Sequence, residues 1–299
     1  MAFEPPQRLV RALRESAPDG DDWLGKLPEA ARQAVALREL TVERVQVPGG
    51  RSSLVVLVRR VDGTPAVLKL APPRFRPEAE RAALAHWGGT GTVQLVEAPV
   101  QEGVLLLERL HPDVSVRSLP EAKALLEAAG MLRRLWVEPP AGHPFENVAE
   151  RTGRQAAAMR AGAGAFREVA GLVDAALAAR AELVAGPPED RLLHGTFRQS
   201  KVLAGERMPW LAVGPDPVVG ESAFDLARLV RDRVEDLIAS PSGAATTRRR
   251  VKRLAESLDV DQERLRGWTL FRAVESGVRA LRVGRTRDAE LLLEFAGWL

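Results

Sequence analysis

With 299 residues, 45% hydrophobic side chains and a net charge of +3, the chain suits one large globular domain or two subdomains sharing a cleft. It has no cysteine, which excludes disulfides, thiolate zinc sites and cysteine nucleophiles and fits a cytoplasmic protein. The four histidines lack metal-ligand spacing, no apolar run approaches the ~18 residues of a membrane span, and the N-terminus carries early acidic residues in place of a leader core.

Helical apolar spacing covers residues 6–17 (Leu9, Val10, Leu13) and 28–42 (Ala31, Val35, Leu37, Leu40), with Pro18-Asp19-Gly20-Asp21 as a breaker between them. The period then shortens. Val45 and Val47 lead to Pro48-Gly49-Gly50, a strand over 52–58, the turn Asp62-Gly63 and a third strand, Ala66-Val67-Leu68-Lys69-Leu70. A helix is predicted over 76–87 and two more strands over 92–97 and 103–109, giving a sheet of about five antiparallel strands. Amphipathic helices follow over 119–137, 147–160 and 166–184. Short strands surround residues 192–217, and helices over 222–238, 245–258, 262–283 and 288–299 close the chain. The expected organisation is a helical extension over 1–42, a β-rich lobe over 43–112 and a helical lobe over 113–299.

Five lysines stand against 38 arginines. The one basic cluster, residues 246–253, reads as a solvated helix face, and no nucleic-acid partner is expected. Against that background a lysine inside the third strand is informative. Lys69 costs burial unless it is paired, and a compact ammonium does what a guanidinium cannot, such as reaching a phosphate as a point charge. Glu80, sharing a helix face with Leu84 and Trp87, is its expected partner. The turn Gly49-Gly50 with Ser52 and Ser53 lets backbone amides approach phosphate. Glu108, at the end of the last strand, leads into a connector.

Glycine turn, strand lysine, helix glutamate and connector follow the order of a kinase nucleotide-binding lobe. The phrases HGTFRQSKVL at 194–203, WLAVGPDPVVGESAFDLARLVRDR at 210–233, WTLFRAVESGV at 268–278 and PAVLKL at 65–70 resemble the aminoglycoside and hydroxyurea kinase family, its streptomycin 6-phosphotransferase branch above all. The resemblance runs from about residue 45 onward. It implies a two-lobed α+β protein-kinase-like fold, ATP as donor and an alcohol-bearing small molecule as acceptor. By the same resemblance Lys69, Glu80, Glu108 and the Gly49–Ser53 turn meet the nucleotide, and His194 and Asp225 shape the catalytic loop.

The departures fall where the chemistry belongs. The family motif HGDLHxxNVL puts Thr196 at the catalytic aspartate, Arg198 at the second histidine and Lys201 at the metal-binding asparagine. Gly214 stands at the metal-binding aspartate of the following strand. A general base contributes about 10²–10⁴-fold, so Thr196 alone leaves a slow enzyme. Losing both metal ligands removes the main neutralising charge on the β- and γ-phosphates, which counts against magnesium. The reading is therefore a pseudokinase with weak or no transfer, binding a nucleotide, a small metabolite or a protein partner. Two rescues stay open: Asp216, with Glu221 nearby, as substitute metal ligand in an active small-molecule kinase, and the Lys201 ammonium in place of the ion. Arg198 is read as solvent-facing. An accessory role in a biosynthetic or resistance gene cluster is a further alternative.

Overall fold

The structure, a computed structural model, describes residues 3–16, 22–163 and 167–299. Helices α1 (Gln7–Ser16) and α2 (Trp23–Leu37) lead into strands β1 (Thr41–Val45), β2 (Leu54–Arg59) and β3 (Pro65–Leu70), helix α3 (Pro77–Trp87), and strands β4 (Val104–Glu108) and β5 (His111–Ser115). Helices α4 (Glu121–Leu135), α5 (Val148–Ala163) and α6 (Ala170–Ala185) precede four short strands, β6 (Arg191–Leu193), β7 (Val202–Ala204), β8 (Leu211–Ala212) and β9 (Val218–Gly220). Helices α7 (Ser222–Val230), α8 (Val234–Ala239), α9 (Gly243–Leu258), α10 (Gln262–Arg282) and α11 (Thr286–Ala296) complete the chain. None is long and apolar enough to cross a membrane among the described residues.

The architecture is α+β, in two compact units: Met1–Val114 with Leu203–Asp216, and Ser115–Val202 with Pro217–Leu299. The first is built on the antiparallel sheet β1-β2-β3-β4. Period-two alternation sends Leu54, Val56 and Val58, Ala66, Leu68 and Leu70, and Val104 and Leu106 into one core with Leu9, Leu13, Leu27, Ala31 and Ala34 of the two N-terminal helices. The predicted fifth strand over 92–97 forms only isolated bridges, Thr92 with Ala212 and Leu95 with Leu107. Its amides go to separate acceptors, Val93 to Ala212 and Val96 to Leu106, so no ladder propagates.

The second unit centres on α10, which packs against α5, α6, α7, α9 and α11. Its buried stripe includes Leu265, Trp268, Phe271 and Val278. Phe224 and Phe271 each meet Trp268 edge-on, at 5.1 and 5.9 Å between centroids. Asn147 and Glu150 form a reciprocal cap on α5: the Asn147 side chain accepts from the Glu150 amide (2.8 Å), and the Glu150 carboxylate accepts from the Asn147 amide (3.0 Å).

Several expectations needed correction. The second helix starts at Trp23 and ends at Leu37, with Glu39 at φ 49°, so Val42 belongs to a strand. The breaker at 18–21 and the start of the helix expected from 166 lie outside the described residues. The helix predicted over 222–238 breaks at Arg233 (φ 58°). There the Arg233 guanidinium donates to the carbonyls of Arg117 and Leu119 and to the Gln199 side chain. In the 246–253 cluster, Arg250 is buried, donating to the carbonyls of Val230 and Asp232 and pairing with Glu121, so that face is not wholly solvated.

Gly220 shows how tightly the second unit is packed. A Cβ there would lie 2.5 Å from the Val148 Cγ2 atom and 2.9 Å from its Cβ. Gly220→Ala is expected to destabilise by about 1–3 kcal/mol through overpacking. Gly130→Ala, on the open face of α4 with nothing within 4 Å, should stabilise by about 0.5–1 kcal/mol through helix propensity. Thermal melts of the two variants in opposite directions check both statements.

Candidate active site

In the first unit, Lys69 pairs across β3 with Val55 and Leu105, on the face of the sheet away from Leu68 and Leu70. On α3, Glu80, Ala83, Leu84 and Trp87 are all buried and share one face at i, i+3, i+4 and i+7. This register brings the Lys69 ammonium onto the Glu80 Oε2 atom, with side chains only 11% and 5% exposed. The other carboxylate oxygen, Oε1, is buried and accepts no hydrogen bond.

The glycine turn lies between β1 and β2. Gly49 sits at φ 70°, and a Cβ there would lie 2.9 Å from the Gln46 carbonyl and 3.1 Å from the Pro6 ring. Arg51, in the same turn, pairs with Glu15 of α1 at 2.6 Å. The glycine therefore permits close approach to the chain's own N-terminal segment. A Cβ at Gly50 would lie 3.5 and 3.6 Å from the carbonyl and hydroxyl of the buried Ser53, and Ser52 is half-buried. Glu108 accepts from the Gln94 amide (3.0 Å) and pairs with Arg207 (3.1 Å), so its carboxylate is committed within this unit. Gly214 sits at φ 62°. Asp216, the candidate substitute ligand, pairs with Arg76 at 2.7 Å.

In the second unit, β6 delivers the loop that starts at His194. The buried Asp225 carboxylate accepts from the amides of His194 (2.8 Å) and Gly195 (2.9 Å). Burial raises the Asp225 carboxyl above its usual range, opposed by Arg272 and by these two amides. Arg272 donates to the carbonyls of Gly195 and Phe224, both at 2.6 Å, and its guanidinium lies 4.1 Å from the Phe224 ring centre. Burial lowers its pKa to about 9, still cationic at neutral pH. Further along the loop, the Lys201 ammonium donates to the Thr196 hydroxyl at 2.5 Å. Arg198, read from sequence as solvent-facing, is half-buried, and its charge acts on Arg228 and Asp232. Glu221 is occupied: Arg264 donates to both of its oxygens and the Trp268 indole to one.

Residues 38–284 match the model of the family described as aminoglycoside/hydroxyurea antibiotic resistance kinase. The chain belongs to that family. It is 34% identical to streptomycin 6-kinase of Streptomyces glaucescens, over 92% of this chain and 90% of that one. It is 37% identical to hydroxyurea phosphotransferase of Kitasatospora aureofaciens, over 98% of this chain and 87% of that one. Among solved structures, aminoglycoside phosphotransferase APH(4)-Ia in a ternary complex with ADP and hygromycin B superposes with a TM-score of 0.61 at 15% identity, over 89% of this chain and 96% of that one. Choline kinase LicA of Streptococcus pneumoniae gives 0.61 at 10%, over 91% and 99%. At these identities the superpositions establish the fold.

Among the described residues no group of three or more histidine, aspartate or glutamate side chains is placed to hold a metal. The loop that would supply a ligand carries the Lys201 ammonium instead, Asp216 is engaged by Arg76, and Glu221 by Arg264 and Trp268. The sequence reading missed Arg272 as a support of the loop. In a chain with 38 arginines, one more on an amphipathic helix carries no distinguishing signal.

Proposed function

We propose that this family member is an impaired phosphotransferase: it binds nucleotide through Lys69 and the glycine turn and transfers phosphate to an alcohol-bearing acceptor weakly or not at all. The observation that carries the reading is the contact between Lys201 and Thr196. By resemblance these positions would hold a metal ligand and the catalytic base. Here they hold a cation and a hydroxyl bound to each other, with neither a carboxylate to accept a proton nor an oxygen donor set for an ion. The relatives named for streptomycin and hydroxyurea support a small hydroxylated acceptor, and the ADP-bound structure supports ATP as donor. Asp216 as a substitute ligand would first have to leave Arg76, which weighs against the active-kinase reading.

An ammonium on the loop neutralises phosphate charge without an ion. ATP is therefore expected to raise the melting temperature equally in magnesium and in EDTA, with no phosphorylated aminoglycoside formed. The triple variant Thr196→Asp, Lys201→Asn, Gly214→Asp should make the ATP shift magnesium-dependent. Aspartate tolerates the left-handed backbone at position 214. A parent protein whose ATP shift vanishes in EDTA, or that phosphorylates an aminoglycoside at an ordinary kinase rate, would sink this reading.

A further inference from the structure

The loop from His194 to Lys201 is held near both ends by carboxylates seven residues apart, Asp225 on α7 and Asp232 just past its end. Asp225 accepts from the amides of His194 and Gly195, and Asp232 accepts from the Gln199 amide at 2.6 Å. Gln199 opens a single helical turn, Gln199–Lys201, which closes as the Lys201 amide donates to the Arg198 carbonyl at 2.9 Å. Arg198, the residue ahead of the turn, offers it no side-chain cap, so Asp232 supplies one from 33 positions along the chain.

Gln199 is buried, and its side chain is gripped as well. Its Oε1 atom accepts from the Arg233 guanidinium at 3.0 Å, and Arg233 donates onward to the carbonyls of Arg117 (2.7 Å) and Leu119 (3.0 Å). Arg233 stands at φ 58°, a left-handed backbone that costs energy for a residue with a Cβ. The break between α7 and α8 that carries this cost is also what turns Asp232 and Arg233 onto one glutamine. Strain of this kind persists where the surrounding structure over-determines it, and it gathers at functional sites. Two residues beyond Gln199, the Lys201 ammonium rests on the Thr196 hydroxyl.

We propose that Asp232 is a positioning residue for the loop: through Gln199, and together with Arg233, it fixes the turn that places the Lys201 ammonium on Thr196. A lysine on a mobile root loses much rotamer and backbone freedom when it is held against an anion. Fixing the root in advance lowers that cost, so a preorganised ammonium binds a phosphate more tightly than a loose one. The consequence for a nucleotide rests on the function proposed above; the placement of Lys201 does not.

The chain has five lysines, so trace acetylation of the native protein, read by mass spectrometry, reports each one separately. Without nucleotide, Lys201 in the parent should label more slowly than the exposed Lys26 and Lys252. Asp232→Ala should raise Lys201 labelling relative to those two by about tenfold, the scale of one hydrogen bond to a charged group, and leave Lys69 unchanged. Asp232→Asn keeps an acceptor for the Gln199 amide and should restore most of the protection. Arg233→Gly takes the left-handed backbone without strain, removes only the grip on the Gln199 side chain, and should raise labelling less. It carries the test if Asp232→Ala does not fold. Gly277→Ala, whose Cβ would lie 2.8 Å from the Leu293 Cγ atom, destabilises the same unit elsewhere and should leave Lys201 at the parental rate. Titrated with ATP in EDTA, Asp232→Ala and Lys201→Met should each weaken binding, and the double variant no further than Lys201→Met alone. The proposal is overturned if Asp232→Ala and Arg233→Gly leave Lys201 as slow as in the parent, if Gly277→Ala speeds it as much as Asp232→Ala does, or if the two losses in ATP affinity add. A parent that binds no ATP refutes the nucleotide reading alone, and the labelling still decides the role of Asp232.

Discussion

Asp225→Ala is expected to destabilise the second unit by about 3–5 kcal/mol, the scale of breaking a buried charged network by removing one partner. Three groups would lose their acceptor or counter-charge together. The amides of His194 and Gly195 become buried donors with nothing to bond, and Arg272 loses the carboxylate that most supports its charge. Because Arg272 also holds the Gly195 carbonyl, the start of the loop is gripped on both sides of one peptide by the same network. A chain of this size loses roughly 2–4 °C per kcal/mol, so the melting temperature should fall by about 10 °C. Asp225→Asn keeps one acceptor oxygen and should fall between the two. The pH dependence has a definite sign. The folded carboxyl has a pKa above its unfolded value of 3.8, so the folded state binds the proton more tightly. Stability from this group is therefore fully present below 3.8 and declines as pH rises toward the folded value. The gap in melting temperature between parent and Asp225→Ala should narrow, not widen, on going from acid to pH 7. An alanine variant that melts with the parent would remove Asp225 from the support of the loop.

The fold was legible where local signals and burial agree. Lys69 is informative because a strand with apolar neighbours does not carry a lysine without a partner, and the helix spacing of Glu80 with Leu84 and Trp87 identifies that partner. Boundaries were less legible where the deciding contact is distant in sequence. The break at Arg233 depends on carbonyls at 117 and 119, more than a hundred residues away, and no periodicity reports that. The strand expected over 92–97 has the right residues, yet a strand exists only if a partner ladder continues beside it. The loop substitutions were visible as letters. That Lys201 turns onto Thr196, and that Asp216 is held by Arg76, are tertiary facts that no spacing rule contains.

Lys69→Met separates architecture from ligand binding. The single variant leaves the Glu80 carboxylate buried at 5% exposure with no counter-ion and should cost about 3–5 kcal/mol. The double variant Lys69→Met, Glu80→Leu replaces the pair with apolar groups of similar volume and should recover most of that loss, since a buried ion pair is near neutral against a packed hydrophobic pair. Recovery should be helped by the Glu80 Oε1 atom, which is already buried without a donor and whose removal relieves a penalty of about 1–3 kcal/mol. A pair kept for stability alone would be a poor solution at this position, because the apolar pair does as well without the orphaned oxygen. The double variant is therefore expected to melt close to the parent while losing the rise in melting temperature that ATP gives. If it keeps the ATP response, Lys69 is a structural lysine and the nucleotide, where it binds, is held by other groups. If it stays as unstable as the single variant, the pair is a structural element of the sheet and α3 in its own right, and its retention needs no ligand to explain it.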